Sequence, residues 1–193
     1  MKTDILSWSN LHLKGDLWIQ HHGLRYQSFV DRQGWEVPSH DQLEWDQYDN
    51  PRAIYILISE QGRCLACCRL ISTIHPYMIE EVFPDFLPYA PPKKPNVWEA
   101  SRIAVDSSLT AVKRNQALQE LILAIQQFGI DQGIDKYLGL MPIAIFKKTL
   151  IRNGVRVRIH EAQAKAIDGK KTAVADIFVD QKTIDYLSGH KAA

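Results

Sequence analysis

The sequence has little cysteine, no long apolar run and no excess of charge of either sign. Its only cysteines are Cys64, Cys67 and Cys68, and an odd, clustered set predicts reduced thiols rather than a disulfide framework. No apolar stretch reaches the roughly 18 residues of a transmembrane helix, and the first residues lack the basic-then-apolar pattern of a secretory signal. The 23 Lys and Arg residues against 22 Asp and Glu give no global attraction to nucleic acid. We therefore expect a cytoplasmic protein that binds neither nucleic acid nor a membrane.

The cysteine spacing Cys-x-x-Cys-Cys, followed by His75, also resembles the beginning of a zinc site. Structural zinc sites use four ligands, commonly in two spaced pairs, and no second pair follows here at such a spacing. We therefore expect no metal, and we interpret the cysteines as small apolar residues of a buried strand.

The pattern of apolar residues predicts one α/β domain over residues 1–193, a length that suits a single substantial core. A first helix is predicted over 15–31, because Arg25 and Phe29 are four residues apart and share a face. A long polar loop follows over 36–50. Further strands are predicted over 53–59, 63–72, 96–105, 136–140, 155–159 and 174–179, and further helices over 76–86, 110–133 and 142–153. This order predicts a three-layer α-β-α sandwich with a mixed sheet, which matches the acyl-CoA N-acyltransferase (GNAT) architecture.

In the first half of the chain, carboxylates stand beside aromatic residues within segments that otherwise look like protein core. Burying a charge is costly unless the charge is paired or used, so we expect function in this region. The carboxylates are those of Asp46 and Asp49, and the aromatic residues are Phe29, Trp35 and Trp45. Such a set would suit a ligand that carries a sulfonium or ammonium cation.

Three arginines accompany this acidic and aromatic set. Arg25, Arg69 and Arg102 could supply forked donors to a carboxylate or a phosphate. A zwitterion with an additional cationic centre would use both sets, and S-adenosylmethionine (SAM) is one such molecule. A structural interpretation is also open, since Arg25 could form an ion pair with Asp46 or Asp49 and the aromatic residues could be core.

The order of these residues carries a family resemblance. The chain has Arg-x3-Phe-x5-Trp at 25–35, Glu-x-Asp-x2-Asp at 44–49, Gly-Arg-x5-Arg-Leu at 62–70, Pro-Tyr-Met at 76–78 and Trp-Glu-x-Ser-Arg at 98–102. Each element alone is weak, but the ordered set resembles the LuxI-type acyl-homoserine lactone synthases, which make quorum-sensing autoinducers. The resemblance is dense in the N-terminal half and rests on the predicted fold in the C-terminal half.

The resemblance implies a two-step reaction. The α-amine of SAM attacks an acyl thioester carried by acyl carrier protein or coenzyme A. The methionyl carboxylate then attacks its own γ-carbon, expels methylthioadenosine and closes the lactone. SAM is therefore a substrate, and the resemblance implies no cofactor.

The resemblance also implies roles for particular residues. A general base must take a proton from the ammonium group; Glu99 is our first choice, with Asp46 and Asp49 as alternatives. Backbone N–H groups near Ser101 would stabilise the oxyanion, and Arg25 would hold the lactonising carboxylate. The other residues expected to bind substrate are Phe29, Trp35, Arg69, Arg102 and Met141.

The spacing of Glu99 and Arg102 raises a geometric difficulty. Residues three apart point to opposite faces of a regular strand. A β-bulge could bring both side chains to one site, although the sequence does not prove one.

The acyl group and its carrier are less constrained by the sequence. Family members that prefer 3-oxo acyl chains often carry Thr near the end of the strand around Leu140. This chain has Met141 next, which favours an unsubstituted or otherwise unusual acyl group. Lys147, Lys148 and Arg152 could dock the acidic acyl carrier protein, could bind the phosphates of coenzyme A, or could form an ordinary solvated helix face.

Two other functions remain as alternatives. A GNAT-type N-acyltransferase could act on another amine with acyl-CoA, but such enzymes usually have a Gly-rich pyrophosphate loop, and residues 106–110 contain no glycine. A non-catalytic metabolite-binding module would keep Trp35, Asp46 and Asp49 without needing Glu99.

Overall fold

The computed structural model describes residues 1–189, and contacts between Cα atoms divide the chain into two units. The first unit consists of Met1–Leu70 and Arg102–Ala124, and the second of Ile71–Ser101 and the chain from Ile125 onward. The strands are β1 (Lys2–Leu6), β2 (Ser39–His40), β3 (Leu43–Glu44), β4 (Ile54–Glu60), β5 (Arg63–Ser72), β6 (Val97–Val105), β7 (Lys136–Pro142), β8 (Val157–Ile159), β9 (Lys165–Ile167) and β10 (Lys170–Phe178). The helices are α1 (Gly15–Tyr26), α2 (Met78–Val82), α3 (Ala111–Asp131), α4 (Ile143–Ile145) and α5 (Gln181–Gly189). A single domain over residues 1–193 stays a prediction.

In the first unit, β4 pairs antiparallel with both β1 and β5. Apolar residues fill the middle of β4, where Ile56, Leu57 and Ile58 are fully buried. The β4–β5 turn has positive φ at Gln61 (52°) and Gly62 (78°), as a two-residue type I′ hairpin turn requires. Helix α1 packs against β3, so this unit brings a helix face to the acidic segment that follows β3.

The second unit contains a mixed sheet. Val97 at the start of β6 lies opposite Lys136 in a parallel pairing with β7, and β7 pairs antiparallel with β10. Strands β8 and β9 also pair antiparallel with β10. A parallel pair needs a long crossover connection, and α3 lies in the stretch of chain between β6 and β7.

The structure confirms most predicted elements. The helix predicted over 15–31 is α1 followed by a π-helical turn, Gln27–Asp31. The strands predicted over 53–59 and 63–72 are β4 and β5, the strand predicted over 96–105 is β6, and the helix predicted over 110–133 is α3. Long apolar or strongly periodic segments are therefore the ones that the sequence predicted well.

Several elements differ from the prediction. Strand β1 and helix α5 were not predicted, and the polar loop contains the two-residue strands β2 and β3. The helix predicted over 142–153 is divided into α4, a π-helical turn (Phe146–Leu150) and a 3-10 turn (Ile151–Asn153). The short strands and the divided helix give little periodic signal over so few residues. Helix α5 is different, because its buried residues Ile184 and Leu187 follow a helical spacing.

Candidate active site

Three arginines and three carboxylates form a buried cluster in the first unit. We call it the charge ring, and its members are Arg25, Glu44, Asp46, Asp49, Arg69 and Arg102. The side chains are between 0% and 9% exposed. Three positive and three negative charges make the ring neutral, as buried charges generally require.

Arg25 joins two of the three carboxylates. Its Nε donates to Glu44 Oε2 at 2.5 Å, while Nη1 and Nη2 donate to Asp49 Oδ1 at 2.7 Å and Oδ2 at 2.8 Å. This two-pronged contact is the geometry that favours arginine over lysine at such sites. Each guanidinium nitrogen of Arg25 thus donates to a carboxylate of the chain itself.

The other two arginines close the ring. Arg69 Nη1 donates to Asp46 Oδ1 at 2.5 Å and lies 3.2 Å from Asp49 Oδ1. Arg102 Nε donates to Glu44 Oε1 at 3.0 Å, and Arg102 Nη2 donates to Asp46 Oδ2 at 2.8 Å. Every carboxylate therefore bridges two arginines, and every arginine bridges two carboxylates.

The acidic segment after β3 is fixed by its own side chains. Asp46 Oδ1 accepts the backbone N–H of Tyr48 at 2.9 Å, and Asp49 Oδ2 accepts the N–H of Asp46 at 2.9 Å. Asp side chains commonly hold turns in this way. Tyr55 on β4 also donates its hydroxyl to Asp49 Oδ1 at 2.9 Å, so the segment is tied to the strand behind it.

Burial and neighbouring charge act in opposite directions on Asp49. Burial alone would raise the pKa of its carboxyl group, but hydrogen bonds from Arg25 and the charges of Arg25 and Arg69 outweigh burial. The pKa of Asp49 is therefore held well below its usual range, and the group is ionised near neutral pH. Burial, followed by the charge of Asp49, raises the pKa of Tyr55, which keeps its hydroxyl a donor.

Strand β6 departs from regular geometry at Arg102, where φ is +54°. This left-handed conformation is uncommon for a residue other than glycine and costs about 1–3 kcal/mol. The strand does not continue its simple alternation here, and the Arg102 side chain reaches Glu44 and Asp46. The sequence left open whether this strand is irregular, and the structure has a positive φ at Arg102 itself.

The aromatic pair predicted from the sequence lies beside the charge ring. Phe29 and Trp35 stack with ring centroids 5.2 Å apart and an interplanar angle of 7°. The Arg102 guanidinium lies over the Phe29 ring at 5.7 Å, within cation–π range. Trp45 instead stacks on His22, with centroids 4.5 Å apart.

The remaining predicted site residues lie in the second unit. Glu99 on β6 is fully buried, and its Oε2 accepts the backbone N–H of Ile79 at 2.7 Å. Ser101 is also buried, and Met141 on β7 is half-buried opposite Ala173 of β10. The basic residues predicted to dock the donor are all exposed: Lys147, Lys148 and Arg152.

Sequence reasoning gave no role to three residues that hold the charge ring together. Glu44 was part of the quoted motif but was not predicted as a site residue. Tyr55 falls within the strand predicted over 53–59 and His22 within the helix predicted over 15–31, and neither was predicted to have a role in the site. The available signals were a residue with a polar group, Tyr55, in an otherwise apolar strand, and the adjacent histidines His21 and His22 on a core-facing helix.

The cysteines show no sign of reactivity. All three cysteines are buried and none forms a disulfide, and burial raises the pKa of Cys64 and raises that of Cys67 to about 12. Within residues 1–189, no group of three or more His, Cys, Asp or Glu side chains could hold a metal ion. No helix in the same part of the chain is long and apolar enough to cross a membrane.

Residues 10–187 match the protein-family model described as Autoinducer synthase. The chain belongs to the autoinducer synthase family. It is therefore an acyltransferase, which synthesises an acyl-homoserine lactone. The resemblance found in the ordered motifs is thereby confirmed.

Curated and solved relatives agree with this family. An acyl-homoserine-lactone synthase from Ralstonia solanacearum is 30% identical over 167 residues, which cover 82% of this chain and 80% of the relative. The structure of a CoA-dependent acyl-homoserine lactone synthase, BjaI, with SAM and isopentyl-CoA has a TM-score of 0.86 and 30% identity, covering 96% of this chain and 87% of that chain.

A more distant neighbour shows the fold alone. An acyl-CoA N-acyltransferase from Pseudomonas aeruginosa has a TM-score of 0.54 at 13% identity and covers 92% of this chain and 99% of that chain. Together with the mixed sheet, these neighbours confirm the predicted GNAT-like α/β fold class.

Proposed function

We propose that the charge ring and the Phe29–Trp35 stack bind SAM, and that the chain acylates the α-amine of SAM and then closes the lactone. One observation carries this proposal: the ring meets the aromatic pair at Arg102, which contacts Glu44, Asp46 and the Phe29 ring. Carboxylates beside aromatic faces suit the sulfonium and ammonium groups of SAM. An arginine at the same place suits its carboxylate.

The first chemical step is a nucleophilic acyl transfer. The ammonium group of SAM loses a proton, and the free amine attacks the thioester carbonyl. A nitrogen–carbon bond forms, the carbon–sulfur bond breaks, and the thiolate leaves and takes up a proton. We propose Glu99 as the general base, acting directly or through a water molecule. Asp49 suits this role poorly, because its pKa is held well below its usual range; Asp46 remains the alternative.

The second step needs no acid or base. The methionyl carboxylate attacks its own γ-carbon, a carbon–oxygen bond forms, and the bond to the sulfonium breaks to release neutral methylthioadenosine. Holding the carboxylate against that carbon is a positioning task. The sequence predicted Arg25 for it, but Arg25 is 1% exposed and each of its guanidinium nitrogens donates to Glu44 or Asp49. We propose that Arg25 holds these two carboxylates, that the equally buried Arg69 holds Asp46 and Asp49, and that Arg102 faces the substrate.

Two residues of the second unit would serve the acyl group. We propose that backbone N–H groups near Ser101 stabilise the tetrahedral oxyanion. Met141 would contact the acyl chain, as its place at the end of β7 suggested from the sequence. A flexible thioether fits irregular apolar space, and this supports an unsubstituted acyl chain.

We propose acyl carrier protein as the donor, docked on Lys147, Lys148 and Arg152. Their exposure on consecutive helical turns supports this choice, because complementary charge speeds encounter with an acidic partner. Acyl-CoA is the second candidate, because BjaI, which is described as CoA-dependent, is 30% identical to this chain. We also propose that the enzyme works in the cytoplasm and needs no cofactor.

Mass spectrometry of organic extracts tests the reaction. Cells that express the chain should release a compound with the homoserine lactone fragment ion, and the parent mass gives the acyl group. Cells that express Glu99→Gln serve as the matched control. If purified protein also makes no lactone from SAM and a panel of acyl carrier protein and CoA thioesters, the proposed function is wrong.

A further inference from the structure

His22 lies on α1 one turn before Arg25 and is fully buried. Its Nδ1 is 2.8 Å from the backbone carbonyl oxygen of Glu44. A carbonyl oxygen can only accept a hydrogen bond, so Nδ1 carries the proton. The contact therefore joins α1, the helix that carries Arg25, to the backbone of Glu44. The Glu44 carboxylate in turn accepts a hydrogen bond from Arg25.

The imidazole of His22 is neutral in this environment. Burial, followed by the charge of Arg25, lowers the pKa of His22 to about 4. The proton on Nδ1 leaves Nε2 with only its lone pair, and Nε2 is buried without a hydrogen-bond partner among residues 1–189. The hydrogen bond to the Glu44 carbonyl is thus the one polar contact that the His22 imidazole makes within the described chain.

The His22 imidazole also packs against Trp45, the residue after Glu44. Trp45 stacks on His22 with centroids 4.5 Å apart at an angle of 22°, and Trp18 meets His22 edge-on at 4.8 Å. Trp45 is 42% exposed, so it covers His22 from the solvent side. His22 therefore contacts two consecutive residues, namely the backbone carbonyl of Glu44 and the side chain of Trp45.

We propose that His22 is a positioning residue for lactone synthesis, which sets the Glu44 backbone so that the Glu44 carboxylate can bridge Arg25 and Arg102. The proposal rests on the proposed SAM-binding role of the charge ring. Glu44 Oε2 accepts from Arg25 at 2.5 Å, and Oε1 accepts from Arg102 at 3.0 Å. Neither contact tolerates a large shift of the segment, because hydrogen bonds weaken steeply with distance and angle.

Two substitutions separate the effect of the His22 hydrogen bond from the effect of its aromatic packing. His22→Asn retains an N–H close to the place of Nδ1, whereas His22→Phe retains the ring and loses the donor. His22→Phe should raise the KM for SAM ~10-fold or more, because a buried carbonyl loses its donor. The KM for the acyl donor should stay within ~2-fold, and His22→Asn should restore most of the SAM affinity. His40→Phe, at a side chain that is 91% exposed, is the matched control.

The outcomes distinguish this inference from the proposed function. If wild-type enzyme makes lactone but His22→Phe keeps the wild-type KM for SAM, or His22→Asn is as impaired as His22→Phe, the positioning role is refuted. Imidazole ¹⁵N NMR of the wild-type chain supplies a test that needs neither variant to fold nor the enzyme to turn over. The Nδ1–H tautomer is expected for His22 at pH 7, and an Nε2–H tautomer would overturn the inference.

Discussion

Replacing Asp49 by asparagine changes one charge in the ring and almost nothing in shape. Asp49 accepts two hydrogen bonds from Arg25 at 2.7 and 2.8 Å, one from Tyr55 at 2.9 Å and one from the Asp46 backbone at 2.9 Å. Arg69 lies 3.2 Å away. The substitution leaves a buried ring with one excess positive charge, and it directs an amide N–H₂ toward other donors.

The expected cost is large relative to the stability of a small protein. Breaking a buried ion pair by removing one partner typically costs ~3–5 kcal/mol, because the other charge stays buried without compensation. A domain is stable by only ~5–15 kcal/mol. Asp49→Asn should therefore lower the free energy of unfolding by ~3 kcal/mol or more, measured by urea denaturation at pH 7.

Two companion variants make this prediction specific. Asp41→Asn removes a carboxylate that is 82% exposed, and it should change stability by less than ~0.5 kcal/mol. Combining Asp49→Asn with Arg25→Leu removes one charge of each sign, so the double variant should lose less stability than the two single losses together. A cost below ~1 kcal/mol for Asp49→Asn, or strict additivity in the pair, would refute the reasoning that the ring must be neutral.

Three further predictions concern pH, catalysis and the donor. His22 has a pKa of 6.5 in the unfolded chain, and folding lowers this pKa to about 4. The contribution of neutral His22 to the free energy of unfolding is therefore complete above pH 6.5. About 3 kcal/mol of stability is lost between pH 6.5 and 4; urea titrations of wild type and His22→Asn should differ in this pH dependence. Glu99→Gln should abolish lactone formation while SAM binding, measured by calorimetry, stays within ~3-fold; retained turnover would exclude Glu99 as the base. Reversing charge with Lys147→Glu and Lys148→Glu should lower kcat/KM ~10-fold for an acyl carrier protein donor, and an equal loss with acyl-CoA would point instead to phosphate binding.

Much of the fold could be predicted because its signals are local. Helix α3 is amphipathic over 21 residues, and β4 and β5 are apolar runs on either side of a Gln-Gly turn. Strand β1 has only five residues and two buried positions, so its place in the first unit depends on pairing with β4 rather than on its own pattern. The helix after Pro142 changes type twice, which a pattern of apolar residues does not specify.

The members of the site could be predicted better than their pairing. Charge next to aromatic core residues indicated Arg25, Asp46, Asp49 and Arg102, and all four lie in the ring. Which carboxylate meets which arginine depends on the positive φ at Arg102 and on the turn held by the aspartates. Such backbone irregularities are stabilised by tertiary contacts, so no local pattern in the sequence encodes them.

The neutrality of the ring fits the charges along the proposed reaction. SAM carries a sulfonium, an ammonium and a carboxylate, a net charge of one positive unit that the carboxylates of the ring can attract. Acylation removes the proton from the amine and leaves a neutral zwitterion, and lactonisation then removes both remaining charges together. A ring with excess negative charge would hold the cationic substrate too firmly against turnover, whereas an excess of positive charge would repel it. In this proposed role the neutral ring binds the substrate through local contacts, which weaken as each step removes charge, and the lactone and methylthioadenosine leave as neutral molecules.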